Sequence, residues 1–109
     1  MSSWFELNKD TEAQFNFSLK NDDGETILTN IQPYISKGSA KADIEAVQRN
    51  CAYIDRYDTK ESPAGEHYFN LQSPNHHIIA TSPMYQTAES RDTAINSVIS
   101  SGSTRVIKS

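Results

Sequence analysis

A chain of 109 residues fits one compact domain, and 36% apolar with 22% charged residues suits a globular protein with a modest core rather than a disordered chain. The net charge of −4 gathers in the first half: residues 1–55 carry five Lys/Arg against nine Asp/Glu, residues 56–109 five of each. Duplex nucleic acid and anionic membranes, which need clustered positive charge, are not expected partners.

Along the chain, Trp4–Leu7 reads as a first strand with Phe5 and Leu7 on its buried side. Lys9–Ala13 is a polar connection. Phe15, Phe17 and Leu19 then alternate with Asn16, Ser18 and Lys20, the period of a strand with one buried face. A three-residue Asp22-Asp23-Gly24 loop, with Gly24 left-handed, leads into a strand over Thr26–Asn30 and sets Leu19 opposite Ile27 and Phe17 opposite Thr29. A two-residue Asp-Gly loop would instead set Leu19 opposite Leu28; the first register is preferred because it puts the residues shared by both copies, described next, on one face. Ser36 caps a helix whose apolar stripe is Ala40, Ile44, Val47 and Cys51.

From there the chain repeats itself. Phe17, Leu19, Ile27, Thr29, Tyr34, Ser39, Ile44 and Val47 return as Phe69, Leu71, Ile79, Thr81, Tyr85, Ser90, Ile95 and Val98. The offset is 52 as far as Thr29/Thr81 and 51 from Tyr34/Tyr85. The second copy opens with a strand over Arg56–Thr59 and a connection, Glu61–Gly65, and continues with His67, Phe69 and Leu71 on the core side. Pro74-Asn75-His76 forms its turn, His76 taking the left-handed site, followed by a strand over His77–Ser82. Thr87 caps a helix with Ala94, Ile95, Val98 and Ile99 on its apolar face and Gly102 as C-cap. A last strand, Arg105–Lys108, has its counterpart near Ile54–Tyr57, where the second copy begins.

The fold class is therefore α+β: one domain over 1–109 made of two pseudo-symmetric β-β-β-α-β units, about 4–55 and 56–108. They share the segment near 53–60, and one mostly antiparallel sheet carries two helices on one face. Units of roughly 50 residues are marginal alone, so the copies are expected to bury one core between them. A monomer that is an internal pseudo-dimer is the expected state.

With Trp4-Phe5-Glu6-Leu7 ahead of the repeated Phe-x-Leu…Ile-x-Thr…Tyr…Ser…Ile-x2-Val pattern, the chain resembles the YegP-like family of small, mostly bacterial proteins of unknown function. The likeness runs over roughly residues 4–108. It is nearest at Gly24-Glu25-Thr26-Ile27-Leu28-Thr29, Tyr68-Phe69-Asn70-Leu71 and Asn75-His76. One extra residue at Asn30–Pro33 and the acidic Asp22-Asp23 turn depart from it. The resemblance implies a single sheet with helices on one face and C-terminal strands exchanged between units. It implies no substrate, cofactor or catalytic residue.

Chemistry-bearing residues are sparse. His67, His76 and His77 lie near one another in sequence, yet zinc needs three or four converging ligands, and no second cysteine or ordered carboxylate trio completes a set; turn and strand-end histidines are expected, with no metal. Cys51 sits on the helical stripe and reads as a small buried hydrophobe rather than a nucleophile. It cannot form an internal disulfide. Asp22, Asp23 and Glu25 make a solvated turn, short of a calcium loop. There is no phosphate-binding glycine loop, nucleophile elbow or His-Glu-x-x-His, so neither enzyme chemistry nor a cofactor is expected.

Two surfaces remain. Trp4, Tyr68 and Asn70 fall on the outward sheet parity among Asn, Ser and Gln, a contact surface for a protein partner, with a single-stranded ligand disfavoured by the acidity of the first copy. Tyr34, Tyr85, Arg91 and His67 would line a groove between the repeats, the alternative site for a small ligand or weak activity. The opening Met-Ser-Ser-Trp-Phe-Glu lacks signal-peptide character and no run nears the ~20 apolar residues of a membrane helix. The cytoplasm is the expected location.

Overall fold

The computed structural model describes residues 3–109; Met1 and Ser2, which open the stretch read for a signal peptide, lie outside the described residues. The strands are β1 (Trp4–Lys9), β2 (Phe15–Lys20), β3 (Thr26–Thr29), β4 (Tyr57–Glu61), β5 (His67–Gln72), β6 (Ile78–Thr81) and β7 (Ile107–Lys108). The helices are α1 (Lys37–Asn50) and α2 (Ala88–Ser101). Both helices start where hydroxyls can take the open amides of a first turn: Ser36 Oγ accepts from Ser39 N at 3.1 Å, Thr87 Oγ1 from Ser90 N at 3.0 Å.

One seven-stranded sheet runs in the order β4-β5-β6-β3-β2-β1-β7. The halves meet at its centre, where β3 and β6 pair antiparallel about Thr29 and Thr81. Equivalent residues thus face each other across a pseudo-twofold axis. Each helix crosses that boundary: α1 packs on β2 of its own half and on β5 and β6 of the other, and α2 packs on β5 and β3. A single core results, with Phe5, Leu19, Leu28, Ile44, Val47, Phe69, Leu71 and Val98 completely buried.

Both hairpin turns form as expected, with Gly24 at φ +82° and His76 at φ +66°, but the strand register beyond them differs. Leu19 faces Leu28, Ser18 faces Thr29, and Lys20 faces Thr26. A β-bulge at Ile27 adds one residue to the three-residue loop's alignment. The second copy does the same at Ile79, with Leu71 facing Ala80 and Gln72 facing Ile78. The cause is the apolar doublet: Ile27 and Leu28 are both buried, as are Ile79 and Ala80. Two successive residues reach one core only if a bulge interrupts the alternation. Phe17 consequently meets Asn30, whose side-chain oxygen accepts from Phe17 N at 3.1 Å, rather than Thr29. In the second copy Ser82 Oγ accepts from Phe69 N at 3.0 Å.

The chain between the copies also departs from the reading. Ile54–Arg56 is a 3-10 turn, and the strand begins only at Tyr57, paired with β5. The last strand shortens to Ile107–Lys108 and lies parallel on β1, so the second repeat's end closes the first repeat's edge. The equivalent amides are met in different ways: Phe5 N donates to Val106 O at 2.9 Å, and Tyr57 N donates to Ile54 O within the 3-10 turn. Where β7 supplies an acceptor from the far end of the chain, the linker supplies one by turning back on itself.

At the helix ends the axis forces asymmetry. Gly102 is the C-cap of α2 in right-handed conformation (φ −68°), so no turn demands glycine there. Space does: a Cβ on Gly102 would sit 2.6 Å from Cys51 Cβ and 2.9 Å from its Sγ. Cys51 and Gly102 are equivalent positions, and there is room for one side chain between them.

Two outcomes follow for stability. Phe69→Ala should destabilise by about 3–5 kcal/mol, as loss of a fully buried aromatic does, read as a shift in the urea midpoint at constant m-value. Gly102→Ala should destabilise by about 1–3 kcal/mol through overpacking, whereas the exchange Cys51→Gly/Gly102→Cys should recover most of that loss because the same slot is filled from the other side; a double variant no more stable than Gly102→Ala would refute the shared-slot account.

Candidate functional site

The registers bring equivalent polar residues into line on the sheet face opposite the core. Following the pairs from strand to strand gives Lys108, Glu6, Ser18, Thr29, Thr81, Asn70 and Asp58, each directly opposite the next. Seven strands at about 4.8 Å spacing make a polar row of roughly 29 Å. The row is pseudo-symmetric about Thr29–Thr81 from Glu6 to Asp58, with Ser18 matching Asn70 and Glu6 matching Asp58; Lys108 on β7 has no counterpart.

Along this face the candidate contact residues have distinct surroundings. Trp4 is half-buried and clamped. Its indole N–H donates to Glu6 Oε2 at 3.1 Å, Lys108 Nζ lies 4.2 Å from the ring centroid, and its edge lies near the Gly24 turn. One ring face is thus taken by a cation–π contact. Asn70, at 8% exposure, is nearly covered. Tyr68 is half-buried and pairs with Lys60 across the strands. Lys60 in turn reaches Asp58 Oδ2 at 3.3 Å, and Lys20 Nζ donates to Thr26 Oγ1 at 2.5 Å. The face is one of mixed charge with small hydroxyls at its centre.

The residues read as one groove lie in two places. Tyr34 forms a backbone bridge with Phe15, stacks on Phe17 at 6.0 Å between centroids, and donates its hydroxyl to Asp43 Oδ2 at 2.6 Å. It lines a groove of about 320 Å³ between loop 31–34, α1 and the start of β6. Tyr85 forms the matching bridge with His67, the two backbones exchanging 2.7 Å hydrogen bonds. Arg91, on α2 of that same repeat, is committed to an ion pair with Asp92 at 3.1 Å. The side chains around the two tyrosines differ, Ala94 standing at the position of Asp43 and Thr26 at that of Ile78, and the difference has meaning only once the helix is seen to cross onto the other half.

The remaining titratable groups are structural in setting. His67 and the exposed pair His76 and His77 are separated by β5, a distance of about 17 Å at the strand rise. Among the described residues no three His, Cys, Asp or Glu side chains converge. Cys51 is buried, and burial pushes its thiol pKa up. Burial likewise raises the phenols of Tyr34, Tyr57 and Tyr85, with the Asp43 hydrogen bond adding to the shift at Tyr34 and the Glu25 charge at Tyr85. Tyr57 donates to Cys51 O at 2.7 Å.

Comparison with known proteins places this geometry. A family model described as a domain of unknown function (DUF1508) matches twice, over residues 10–58 and 62–108. The chain is similar to the UPF0339 protein YegP of Escherichia coli K12, 46% identical over 108 residues covering 99% of this chain and 97% of that protein. It is also similar to a UPF0339 protein of Shewanella oneidensis, 44% identical with the same coverage. Solution NMR structures of both superpose closely. The Shewanella protein gives a TM-score of 0.90 over 99% of this chain and 91% of that one. The Escherichia coli protein, described as of unknown function, gives 0.91 over 99% and 92%.

Because the three partly buried phenols hold their protons to higher pH than in the unfolded chain, which ionises tyrosine near pH 10, the unfolded state binds fewer protons above that pH. Stability should therefore fall as pH rises through and beyond about 10. Urea titrations at stepped alkaline pH should show the fall, and Tyr34→Phe/Tyr85→Phe should flatten it; an unchanged alkaline slope would contradict the assignment.

Proposed function

We propose, for a chain that belongs to the DUF1508 family of domains of unknown function, that it is a non-catalytic binding module whose open sheet face contacts a protein partner in the cytoplasm. The observation that carries this reading is the polar row from Lys108 to Asp58, flanked by Trp4 and Tyr68. Its hydroxyls, amides and carboxylates stand at regular spacing on a rigid sheet, and ordered polar groups on a fixed scaffold lose little entropy on binding. Mixed charge along the face, with Lys20, Lys60 and Lys108 set against Glu6 and Asp58, matches the polar interfaces of proteins better than the uniform positive potential that a phosphate backbone requires. Clamping of Trp4 argues in the same direction, since a ring with one face already occupied is a poor platform for stacked bases.

Catalysis finds no support in the placement of reactive groups. The one thiol is buried with a raised pKa, and the histidine beside Tyr85 is tied through its backbone into the bridge that closes the second repeat. Among the described residues no helix is long and apolar enough to cross a membrane. The protein is read as acting as a monomer, its internal pseudo-dimer providing the continuous face.

Tagged wild-type protein should retain a specific protein from bacterial extract that Trp4→Ser/Tyr68→Ser does not retain, with the far-UV circular dichroism spectrum of the variant unchanged. Thr81→Lys, at the centre of the row, should abolish the same capture. Retention of an identical partner set by both variants would show that this face is not the contact surface.

A further inference from the structure

The groove beside Tyr34 lies at α1, away from the polar row, and its composition differs from that face. Its walls include two isoleucines left unusually open, Ile31 at 50% and Ile78 at 37% exposure, with Pro33 and the buried Ile79 behind them. Neither exposed side chain is covered by the helix that crosses above. At about 320 Å³ the groove is within the range of small-molecule sites, which are typically apolar with a few placed polar groups.

The placed polar group is Asp43. Its Oδ2 accepts from the Tyr34 hydroxyl at 2.6 Å, and burial together with that bond keeps the phenol protonated. Tyr34 thus orients the carboxylate as a neutral donor and leaves its charge uncompensated. Neither of the two ion pairs among the described residues involves Asp43, and no described group bonds its Oδ1. His77 completes the rim. An unpaired, oriented carboxylate beside a wall of isoleucines is complementary to a cationic head on an apolar tail, because a charged hydrogen bond is stronger than a neutral one.

The duplication supplies an internal control. In the equivalent place of the other half, Ala94 stands where Asp43 does and Thr26 where Ile78 does. The same backbone frame there lacks the carboxylate on the helix and the isoleucine wall, and its own carboxylate, Glu25, stands at the rim position that His77 takes here.

We infer that the groove formed by loop 31–34, Asp43 of α1 and Ile78–Ile79 of β6 binds a small amphiphilic cation, a primary ammonium carried on an aliphatic or aromatic tail, with nitrogen at Asp43 and the tail along Ile31 and Ile78. The test is an amide chemical-shift titration of the full chain with n-hexylammonium, hexan-1-ol and hexanoate. Saturable shifts are expected at Ile31, Tyr34, Asp43 and Ile78 and not at Thr26 and Ala94, with hexylammonium binding at least about tenfold more tightly than hexanol, the factor a charged hydrogen bond supplies, and hexanoate more weakly still. Asp43→Asn, in which the amide oxygen still accepts from Tyr34, should bring hexylammonium down to the level of hexanol. Ile78→Thr should weaken both. Equal affinity of hexylammonium and hexanol, tighter binding of hexanoate, shifts shared by both halves, or an Asp43→Asn variant that binds as the wild type does would each overturn the inference.

Discussion

The antiparallel contact of β3 with β6 about Thr29 and Thr81 is the constraint on which the rest of the structure depends. Each hairpin of three strands would, alone, present β3 or β6 as an unpaired edge, a row of open amides and carbonyls. Paired together they become the middle of one sheet. The helices follow from this joint, since α1 finds its apolar floor partly on β5 and β6, and α2 partly on β3. Removing either half would expose the apolar stripe of the helix left behind.

The same joint explains why the repeat is symmetric where it is and not elsewhere. The buried Phe17, Leu19, Ile27, Ile44 and Val47 recur as Phe69, Leu71, Ile79, Ile95 and Val98, because both copies contribute to one volume under the same packing rules. On the axis itself interchange fails: Cys51 and Gly102 occupy one space, and a second Cβ has nowhere to go. At the sheet edges interchange fails for reasons of chain connection. The first repeat runs directly into the second, so Ile54 turns back to serve Tyr57, while Ile107–Lys108 of the second repeat lies along β1 as β7.

Much of the local structure was legible in the residues. The caps Ser36 and Thr87, the left-handed Gly24 and His76, and the helical stripe ending at Cys51 all rest on interactions within a few residues of one another. The register was not. The three-residue loop, preferred because it set the residues shared by both copies on one face, placed Leu19 opposite Ile27, and what displaced it was the demand of two adjacent apolar residues for the same core, a demand set by the helices above. The candidate site divides along the same line. Alternation marked Trp4, Tyr68 and Asn70 as outward, but the clamp on Trp4 comes from Lys108 at the other end of the chain, and the near-burial of Asn70 from neighbouring strands. Tyr34 and Tyr85 were recognisable as a pair, yet their grooves are separate because each tyrosine bridges to a strand of its own half.

What the sequence by itself determined is the doubled β-β-β-α unit, its caps and turns, and the burial of the shared Phe, Leu, Ile and Val positions. These are consequences of periodicity and backbone preference, which act over short distances. Only the tertiary structure decided the bulged registers, the polar row they align, the need for glycine at 102, and the meeting of Asp43 with Ile78. Each of those depends on segments brought together from different repeats, and no local preference encodes which residue of one copy will stand against which residue of the other.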